Sequence, residues 1–465
     1  MEPITSVAKF IREKDDFVIV CHYDADGLSA GALAALGLEH LGKEYGIFPT
    51  RQIDDERVEK IKDKGRNFLF VDLGSGQLSV LEKNFNSFAV IDHHETLERT
   101  VHPHFNAHLV GWDGAKEISG AGCVYEVFKK ILPQFVEFSP LAIVGALGDM
   151  QDSTGKLIGR NKEIVEEGIK AGVLEVKRDI RLFGRHSRPL VQFLAYSSEP
   201  IFPGLTGNEE ECKNFLTEIG ISWRDNGPIY YVDLTHAQKK RLVTALYIYG
   251  KKHFLPEHLL RTLVGEVYEL SREKPKTPLK DAREFSTLLN ACGRHEEGEI
   301  GIKVCMGDRG EYYHKAELLL QRHRRLLREG IEFAVKKGLE ETQYLFVLDA
   351  GKHVKDTLIG VIAGMLYGAQ LATEDKPIIA FALDDSGMLK ASGRATWLLV
   401  RRGVHLGKAM REAAERVGGT GGGHNIAAGA RIKPEDREEF LEAVSYTHLR
   451  AHETRHDLVC RLLLE

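Results

Sequence analysis

The chain has no CxxC pair, and its six cysteines, Cys21, Cys123, Cys212, Cys292, Cys305 and Cys460, are scattered. That spacing argues against a disulfide framework or a zinc ribbon and for a reducing, cytoplasmic setting. No apolar stretch approaches the ~20 residues of a membrane span. The opening residues, MEPITSVAKFIREKDD, lack the apolar centre of a signal peptide, so no membrane association is expected. An excess of positive charge is also missing: 63 Lys and Arg stand against 68 Asp and Glu, a net charge of -5. A nucleic-acid ligand would therefore have to be met by basic residues concentrated locally, because the field of the whole chain does not attract phosphate. No internal repeat of roughly 20–50 residues is visible. What remains is an ordinary globular composition, 465 residues with 43% hydrophobic and 28% charged, long enough for roughly two to three domains.

Across residues 1–155 strand and helix signals alternate. FVIV (17–20), FLFVDL (68–73) and FAVID (88–92) are short apolar runs suited to buried parallel strands. Between them SAGALAALGLEHLG and DERVEKIKDKG read as helices, and the rhythm implies an α/β domain whose parallel sheet is covered on both faces. Such sheets bind ligands at the carboxyl ends of their strands. There the chain places His22, Asp24, Asp26, Asp72, Asp92, His93 and His94. Residues 156–338 are less regular and more charged, a mixed or helical middle region that ends in a basic connecting helix, HKAELLLQRHRRLLREGIEFAVKKG. A second α/β pattern, residues 339–444, runs from YLFVLDA through DTLIGVIAGMLYGAQ and KPIIAFALDD to the glycine-rich GGTGGGHNIAAGA.

The final stretch, SYTHLRAHETRHDLVCRLLLE, does not continue this pattern. His448, His452 and His456 are four apart and would form one stripe on a helix, where a metal site is the tempting reading. The string instead resembles translated vector sequence, so residues 445–465 are expected to be a non-native tail and are left out of the fold.

The first chemical signal is HYDADGL, His22 to Leu28, directly after the first apolar run. Asp24 and Asp26 are too close in sequence for both to ionise comfortably without a cation, since like charges at that distance raise one pKa or recruit a metal. Taken alone, the pair reads more readily as a solvated acidic turn. Asp72 in VDLGSG reads equally well as a cap of the next helix, and the DHH at 92–94 is weak by itself. The ordered set is far more specific: HxDxDG, VDLG, IDHH and GALGD, each at a strand or helix end, the last delivering Asp149. Carboxylates and imidazoles without thiolates suit Mn2+ or Mg2+ and not structural zinc. So many carboxylates suit two ions better than one, and two metals ~3.5–4 Å apart clamp the attacking and leaving oxygens of a phosphoryl displacement.

This order and spacing resembles the DHH phosphoesterase superfamily, and GGGH near the end resembles its companion DHHA1 domain. GALGDMQD, LFGRHSRPL, LLNACGR, KASGRAT and GGGHNIAAG are similar to the archaeal RecJ-like exonucleases, including the GINS-associated nuclease group. The resemblance covers about residues 15–443. It implies a DHH catalytic domain over 1–155, a middle region over 156–338 with an insertion at about 205–300, a smaller DHHA1 substrate-binding domain over 339–444, and a metal-containing cleft. It makes Asp24, Asp26, Asp72, His93 and Asp149 metal ligands. His22 fills a position where relatives have an acid or a histidine, and it is expected to ligate too. Asp92 is expected to be either a ligand or the group that orients His93. His94 would face the scissile phosphate as a polarising or acid group. Asp152 has no role in the family pattern and is expected at the surface or as a cap.

In the C-terminal pattern the resemblance makes Arg394 a phosphate holder, a task that suits a bidentate guanidinium; a surface ion pair is its plainer reading. Gly421, Gly422 and Gly423 would form a loop whose backbone N–H groups approach phosphate, and His424 would hydrogen-bond the terminal nucleotide. Arg322, Arg324, Arg325 and Arg328 either line the cleft or form a solvated linker face. Tyr196, Phe183 and Trp397 are candidates for base stacking. The implied activity is a Mn2+- or Mg2+-dependent exonuclease that releases nucleotides from single-stranded DNA or RNA in replication or repair. In it a water activated by two metals attacks the terminal phosphodiester, and the middle insertion implies docking to a GINS complex. A phosphodiesterase of nano-RNA or cyclic dinucleotides is disfavoured by the greater length here. A scaffold of the replicative helicase is disfavoured by the full ligand set, which the eukaryotic relative has lost. A pyrophosphatase differs at its C-terminal end. Two departures from the family stand out: there is no length for an OB-fold after DHHA1, and the NP that follows DHH in the family appears as Asn106-Ala107.

Overall fold

Short apolar runs become the strands of a parallel sheet. In the computed structural model, which describes residues 2–446 apart from 97, 198, 199 and 370, with 258 and 397 described in backbone only, the chain divides into two units, Met1–Gln321 and Arg322–Glu465. The expected non-native tail, with His448, His452 and His456, lies outside the described residues apart from its first two positions. In the first unit β1 (Asp16–His22), β2 (Glu44–Thr50), β3 (Phe68–Val71), β4 (Phe88–Asp92) and β5 (His104–Asn106) form one sheet in the order β2-β1-β3-β4-β5. All of its pairings are parallel.

Residues alternate between the two faces, as the pleat demands. Ile19, Leu69 and Ile91 join one core with Leu33, Val124 and Ile143, while Val20, Phe70 and Val90 join another with Val58, Ile61 and Leu81. The chain moves from β1 to β2 on one side and then crosses back to β3 on the other. This reversal opens a crevice beyond the carboxyl ends of β1 and β3, the usual ligand position in such sheets.

Residues 181–263 are an excursion between β6 (Leu174–Ile180) and β7 (Val264–Leu270), which pair as an antiparallel ladder. The excursion has its own core, with Leu190, Phe193, Leu216, Tyr231 and Leu242 buried together. Its limits differ from the 205–300 expected for the insertion. The helices Ala282–Arg294 and Gly298–Cys305 belong elsewhere, because their buried Leu288, Leu289, Cys292 and Ile302 pack into the core of the parallel sheet. The basic helix is Glu311–Lys337, and the division between units falls within it.

The second unit is a six-stranded mixed sheet. Its strands are β8 (Glu340–Glu341), β9 (Phe346–Asp349), β10 (Ile378–Leu383), β11 (Leu389–Arg394), β12 (Thr420–Gly423) and β13 (Ala427–Ile432), in the order β12-β13-β11-β10-β9-β8. The helices Asp356–Gly368 and Leu406–Arg416 contribute to its two hydrophobic cores. The α/β class expected for both units holds. No helix among the described residues is long and apolar enough to cross a membrane.

Candidate metal centre

β1 delivers His22, and two residues later Asp24 caps the helix Ala25–His40, its Oδ1 accepting the Gly27 N–H at 3.0 Å. Its other oxygen, Oδ2, lies 3.0 Å from His22 Nδ1. Asp24 is thus a helix cap and a member of the cluster at once, so the acidic-turn reading and the ligand reading describe two oxygens of one side chain. Asp26, in the first turn, is buried. Its two oxygens accept the N–H groups of Gly120 and Ala121 at 2.6 and 2.9 Å, at the start of the helix Gly120–Ile131. Unsatisfied amides at a helix start favour a carboxylate there.

Asp72 follows β3 with φ 60, and Met150, directly after Asp149, has φ 56. Left-handed backbone outside glycine is uncommon and gathers at functional sites. The space around the carboxylates is tight. A Cβ on Gly120 would stand 2.3 Å from Asp72 Oδ1, and one on Gly145 2.2 Å from Asp26 Oδ1. Glycine is required at both positions for the helices to approach the acids.

These elements bring all six expected ligands together. His93 Nε2 lies 3.1 Å from Asp72 Oδ1, 3.4 Å from Asp149 Oδ2 and 3.7 Å from Asp26 Oδ2. On the other side His22 Nδ1 lies 3.8 Å from Asp72 Oδ2. Three overlapping groups of potential ligand atoms result, His22 with Asp24 and Asp72, Asp26 with His93 and Asp149, and Asp72 with Asp92, His93 and His94, each with its atoms within 4.8 Å of one another. Asp72 turns Oδ1 to His93 and Oδ2 to His22. Asp72 Oδ1 and His93 Nε2 are buried, yet neither makes a hydrogen bond. Buried polar atoms are rarely left so. Spacings of 3.1 to 3.4 Å match the edge of an octahedron of ligands at about 2.1 Å, which is about 3 Å. The residues present therefore fit divalent cations.

Electrostatics point the same way. Burial and then the like charge of Asp26 push the carboxyls of Asp72 and Asp149 well above the ordinary range. Burial opposes a charge on His93, but Asp149, Asp26 and Asp92 outweigh it and raise the imidazole to about 9. Burial likewise opposes ionisation of Asp24, and the charge and hydrogen bond of His22 overcome it and hold that carboxyl well below its usual value. Without cations the cluster keeps protons that cations would displace.

The DHH segment differs in detail from its expectation. Asp92 does not orient the His93 ring. That ring donates from Nδ1 to the carbonyl of Gly114 at 2.6 Å, which leaves Nε2 facing the carboxylates. Asp92 instead holds His94, its Oδ1 lying 2.8 Å from His94 Nδ1 and also accepting both histidine backbone N–H groups, while Oδ2 accepts from Ser75 N–H at 3.0 Å. Both Asp92 oxygens are thus engaged, and its carboxylate also falls within the ligand group of Asp72, His93 and His94. His94, 40% exposed, is left with Nε2 as its outer nitrogen.

Several supporting residues were given no role by the sequence, although Gln151 lies in GALGDMQD and Asn290 in LLNACGR. Gln151 donates to the carbonyls of Gly114 and Ile118 and accepts from Asn161, which fixes the loop that orients His93. Asn106, 0% exposed, donates to the His94 carbonyl and to Ser75 Oγ, both at 2.9 Å. Asn290, within LLNACGR, accepts the Ala25 N–H at 3.0 Å and so ties the HYDADGL turn to the helix Ala282–Arg294. Asp152 is corrected outright. It is not at the surface but 1% exposed, because its carboxylate is held by Arg181 at 2.7 Å and by Arg283.

In the second unit Arg394 ends β11 and pairs in register with Ala427 of β13. Its guanidinium lies against the helix Asp356–Gly368 at Gly360 and donates to the Gly393 carbonyl at 2.9 Å. Gly421, Gly422 and Gly423 are not a loop but the edge strand β12, paired with Ala430, Gly429 and Ala428. Their lack of side chains lets the helix Leu406–Arg416 pack closely, since a Cβ on Gly421 would stand 2.5 Å from the Met410 carbonyl. The turn between β12 and β13 carries exposed His424 to the sheet end where Arg394 stands. Arg325 and Arg328 form helical ion pairs with Glu329 and Glu332, as a solvated face does, and Arg322 is exposed while Arg324 is half-buried. Phe183 and Tyr196 flank one cation, the Arg188 guanidinium lying 4.6 Å and 5.7 Å from their rings. The side chain of Trp397 lies outside the described residues.

Three family descriptions match in succession: "DHH family, N-terminal domain" over residues 16–145, "DHH-CID domain" over residues 182–264 and "DHHA1 domain" over residues 343–447. An uncharacterized protein of Methanocaldococcus jannaschii is 30% identical over 461 residues, 96% of this chain and 97% of that protein. The single-stranded-DNA-specific exonuclease RecJ of Thermus thermophilus is 31% identical over 162 residues, 32% of this chain and 24% of the exonuclease. Among solved structures, RecJ of Thermus thermophilus in complex with Mn2+ is similar with a TM-score of 0.60 at 17% identity, over 97% of this chain and 55% of that one. CDC45 of Entamoeba histolytica is similar with a TM-score of 0.64 at 13% identity, over 96% and 97% of the two chains. At these identities the structures speak for the fold. Domain order and sequence identity together decide the family: the chain belongs to the DHH superfamily, as a RecJ-like member.

Proposed function

We propose that the chain is a metal-dependent phosphodiesterase that removes nucleotides from the end of a single strand, of DNA first and RNA second, in replication or repair. The observation that carries the reading is Asp72, one oxygen 3.1 Å from His93 Nε2 and the other 3.8 Å from His22 Nδ1, between two groups of ligand atoms. His22, Asp24 and Asp72 would hold one cation, and Asp72, Asp26, His93 and Asp149 the other; Mn2+ and Mg2+ suit this oxygen-rich set. Bound there, the two cations supply positive charge for the phosphate oxygens and acidify water. Asp26 is held by two backbone amides, so its geometry is set before anything binds. Asp92 fixes His94, whose half-exposed ring would meet a phosphate oxygen or a leaving group. Arg394, Gly421 to Gly423 and His424 are the candidate substrate contacts of the second unit, with the glycines acting through a strand edge. The similarity to a RecJ named for single-stranded DNA supports the substrate.

Digestion of 5′- and 3′-labelled single strands of DNA and RNA by the full chain, with and without Mn2+, tests the reading. Stepwise release that a chelator stops and that Asp24→Ala and Asp149→Ala abolish is expected. Robust cleavage in excess chelator, or by both variants, would overturn it. A docking role is a second reading, because the excursion matching DHH-CID exposes Tyr247, Ile248 and Phe254. A pull-down with a GINS complex tests it.

A further inference from the structure

A cavity of about 330 Å³ lies at the carboxyl end of β2, separate from the ligand cluster. Phe48, Ile53 and Ile61 give it apolar walls, and Arg57, Lys60 and Lys64 line it with three cations. No carboxylate is among its described lining residues, although the helix Asp55–Ile61 also carries Asp55, Glu56 and Glu59. On a chain of net charge -5, this is a local concentration of positive charge. Lys64 Nζ lies 6.0 Å from the centre of the Phe48 ring. Lys60 pairs with exposed Glu56 at 2.6 Å, a surface pair that an arriving anion replaces at little cost.

An apolar wall with an aromatic ring, faced by several cations, is chemistry for a planar base carrying a phosphate. The volume is at the lower end of the roughly 300–1,000 Å³ of small-molecule sites. Its position links it to the metal centre. Thr50, which also lines the cavity, pairs in register with His22, and neighbouring strands stand about 4.8 Å apart.

We propose that this cavity binds a nucleoside phosphate, either the nucleotide next along the strand being cut or a free nucleoside monophosphate of the kind the reaction releases. The proposal rests on the nucleic-acid reading of the metal centre. It supplies what the overall charge withholds, a basic foothold one strand from the site.

Equilibrium binding in chelator separates the proposal from the activity, because nothing is cut there. The full chain is titrated with a short fluorescein-labelled oligothymidylate and, separately, with AMP. Variants are Arg57→Glu/Lys64→Glu, the milder Arg57→Gln/Lys64→Gln, and a control with the same charge change at distant exposed sites, Lys9→Glu/Lys170→Glu, all checked by thermal melts. The charge-reversed pair is expected to weaken binding about tenfold and to lower the salt dependence by roughly 0.7 per lost phosphate contact, with the neutral pair intermediate and the control unchanged. Loss for the oligonucleotide alone identifies the neighbouring nucleotide of the strand, and loss for AMP as well identifies a free nucleotide. Equal weakening by the control pair, no weakening by either cavity pair, or no binding of either ligand by the wild type would overturn the proposal. A protein that binds both ligands at the cavity yet cuts nothing with Mn2+ would instead overturn the nuclease reading and leave this site standing.

Discussion

Asp72 Oδ1 stands 3.1 Å from His93 Nε2, both atoms buried and neither hydrogen-bonded. Buried polar atoms that face each other without a hydrogen bond mark a position where one cation can engage both. Asp72→Asn keeps the shape and tolerates φ 60 but removes the charge that faces both ligand groups. Mn2+-dependent nuclease rate is expected to fall by more than about a hundredfold, beyond what loss of a supporting residue gives, with a near-native circular dichroism spectrum.

Asn106→Ala probes positioning apart from ligation. It removes the donors to the His94 carbonyl and to Ser75 Oγ without touching a ligand atom. A fall of about tenfold in kcat is expected with little change in Mn2+ affinity, as read by steady-state kinetics and a Mn2+ titration. A parallel loss of metal would place Asn106 in the ligand scaffold instead.

Gly120→Ala inserts a methyl group where Asp72 Oδ1 already stands, 2.3 Å from the position of the new Cβ. Weaker Mn2+ binding and about 1–3 kcal/mol lower stability are expected, measured by titration and by denaturant melts. Unchanged metal binding would show that the helix start can retreat from the acid.

The pH dependence of metal stabilisation has a definite sign. His93, raised from 6.5 to about 9, contributes stability that is fully present below about pH 6.5 and is lost as pH rises through 9. The raised carboxyls of Asp72 and Asp149 act in the same direction, favouring the metal-free fold while they keep their protons. Cations bind the deprotonated forms. The Tm gain on adding Mn2+ is therefore expected to grow from pH 6.5 to 9 in differential scanning fluorimetry, whereas a gain that shrinks over that range would contradict these protonation states.

Asp152→Ala tests a structural role. It leaves the largely buried guanidinium of Arg181, 9% exposed, without its carboxylate and deprives Arg283 of the same partner. Breaking a buried pair from one side costs about 3–5 kcal/mol, so a large drop in denaturant midpoint is expected while Mn2+ stoichiometry is retained.

Much of this was legible in the sequence for a physical reason. The ligands stand at strand and helix ends, where continuous apolar runs stop, so FVIV before His22 and FAVID ending at Asp92 mark their own site. The supporting shell was not legible. Asn106, Gln151 and Asn290 act on backbone carbonyls and amides and Asn161 on the Gln151 side chain, and an amide side chain announces no partner. Asp152 looked like a surface acid because its arginines lie 29 and 131 residues away. The triple glycine reads as a loop because glycine weakens strands; here close helix packing overrides that preference. Nothing local shows which core an amphipathic helix joins, so the residues from 282 to about 300 read as part of the insertion.

The most direct test is a calorimetric titration of the metal-free full chain and of Asp72→Asn with Mn2+, read for stoichiometry. Two ions bound per wild-type chain and at most one weakly bound ion in the variant are expected, since the Asp72 carboxylate faces His93 with one oxygen and His22 with the other. One ion or none in the wild type, or two in the variant, would contradict a centre built around Asp72.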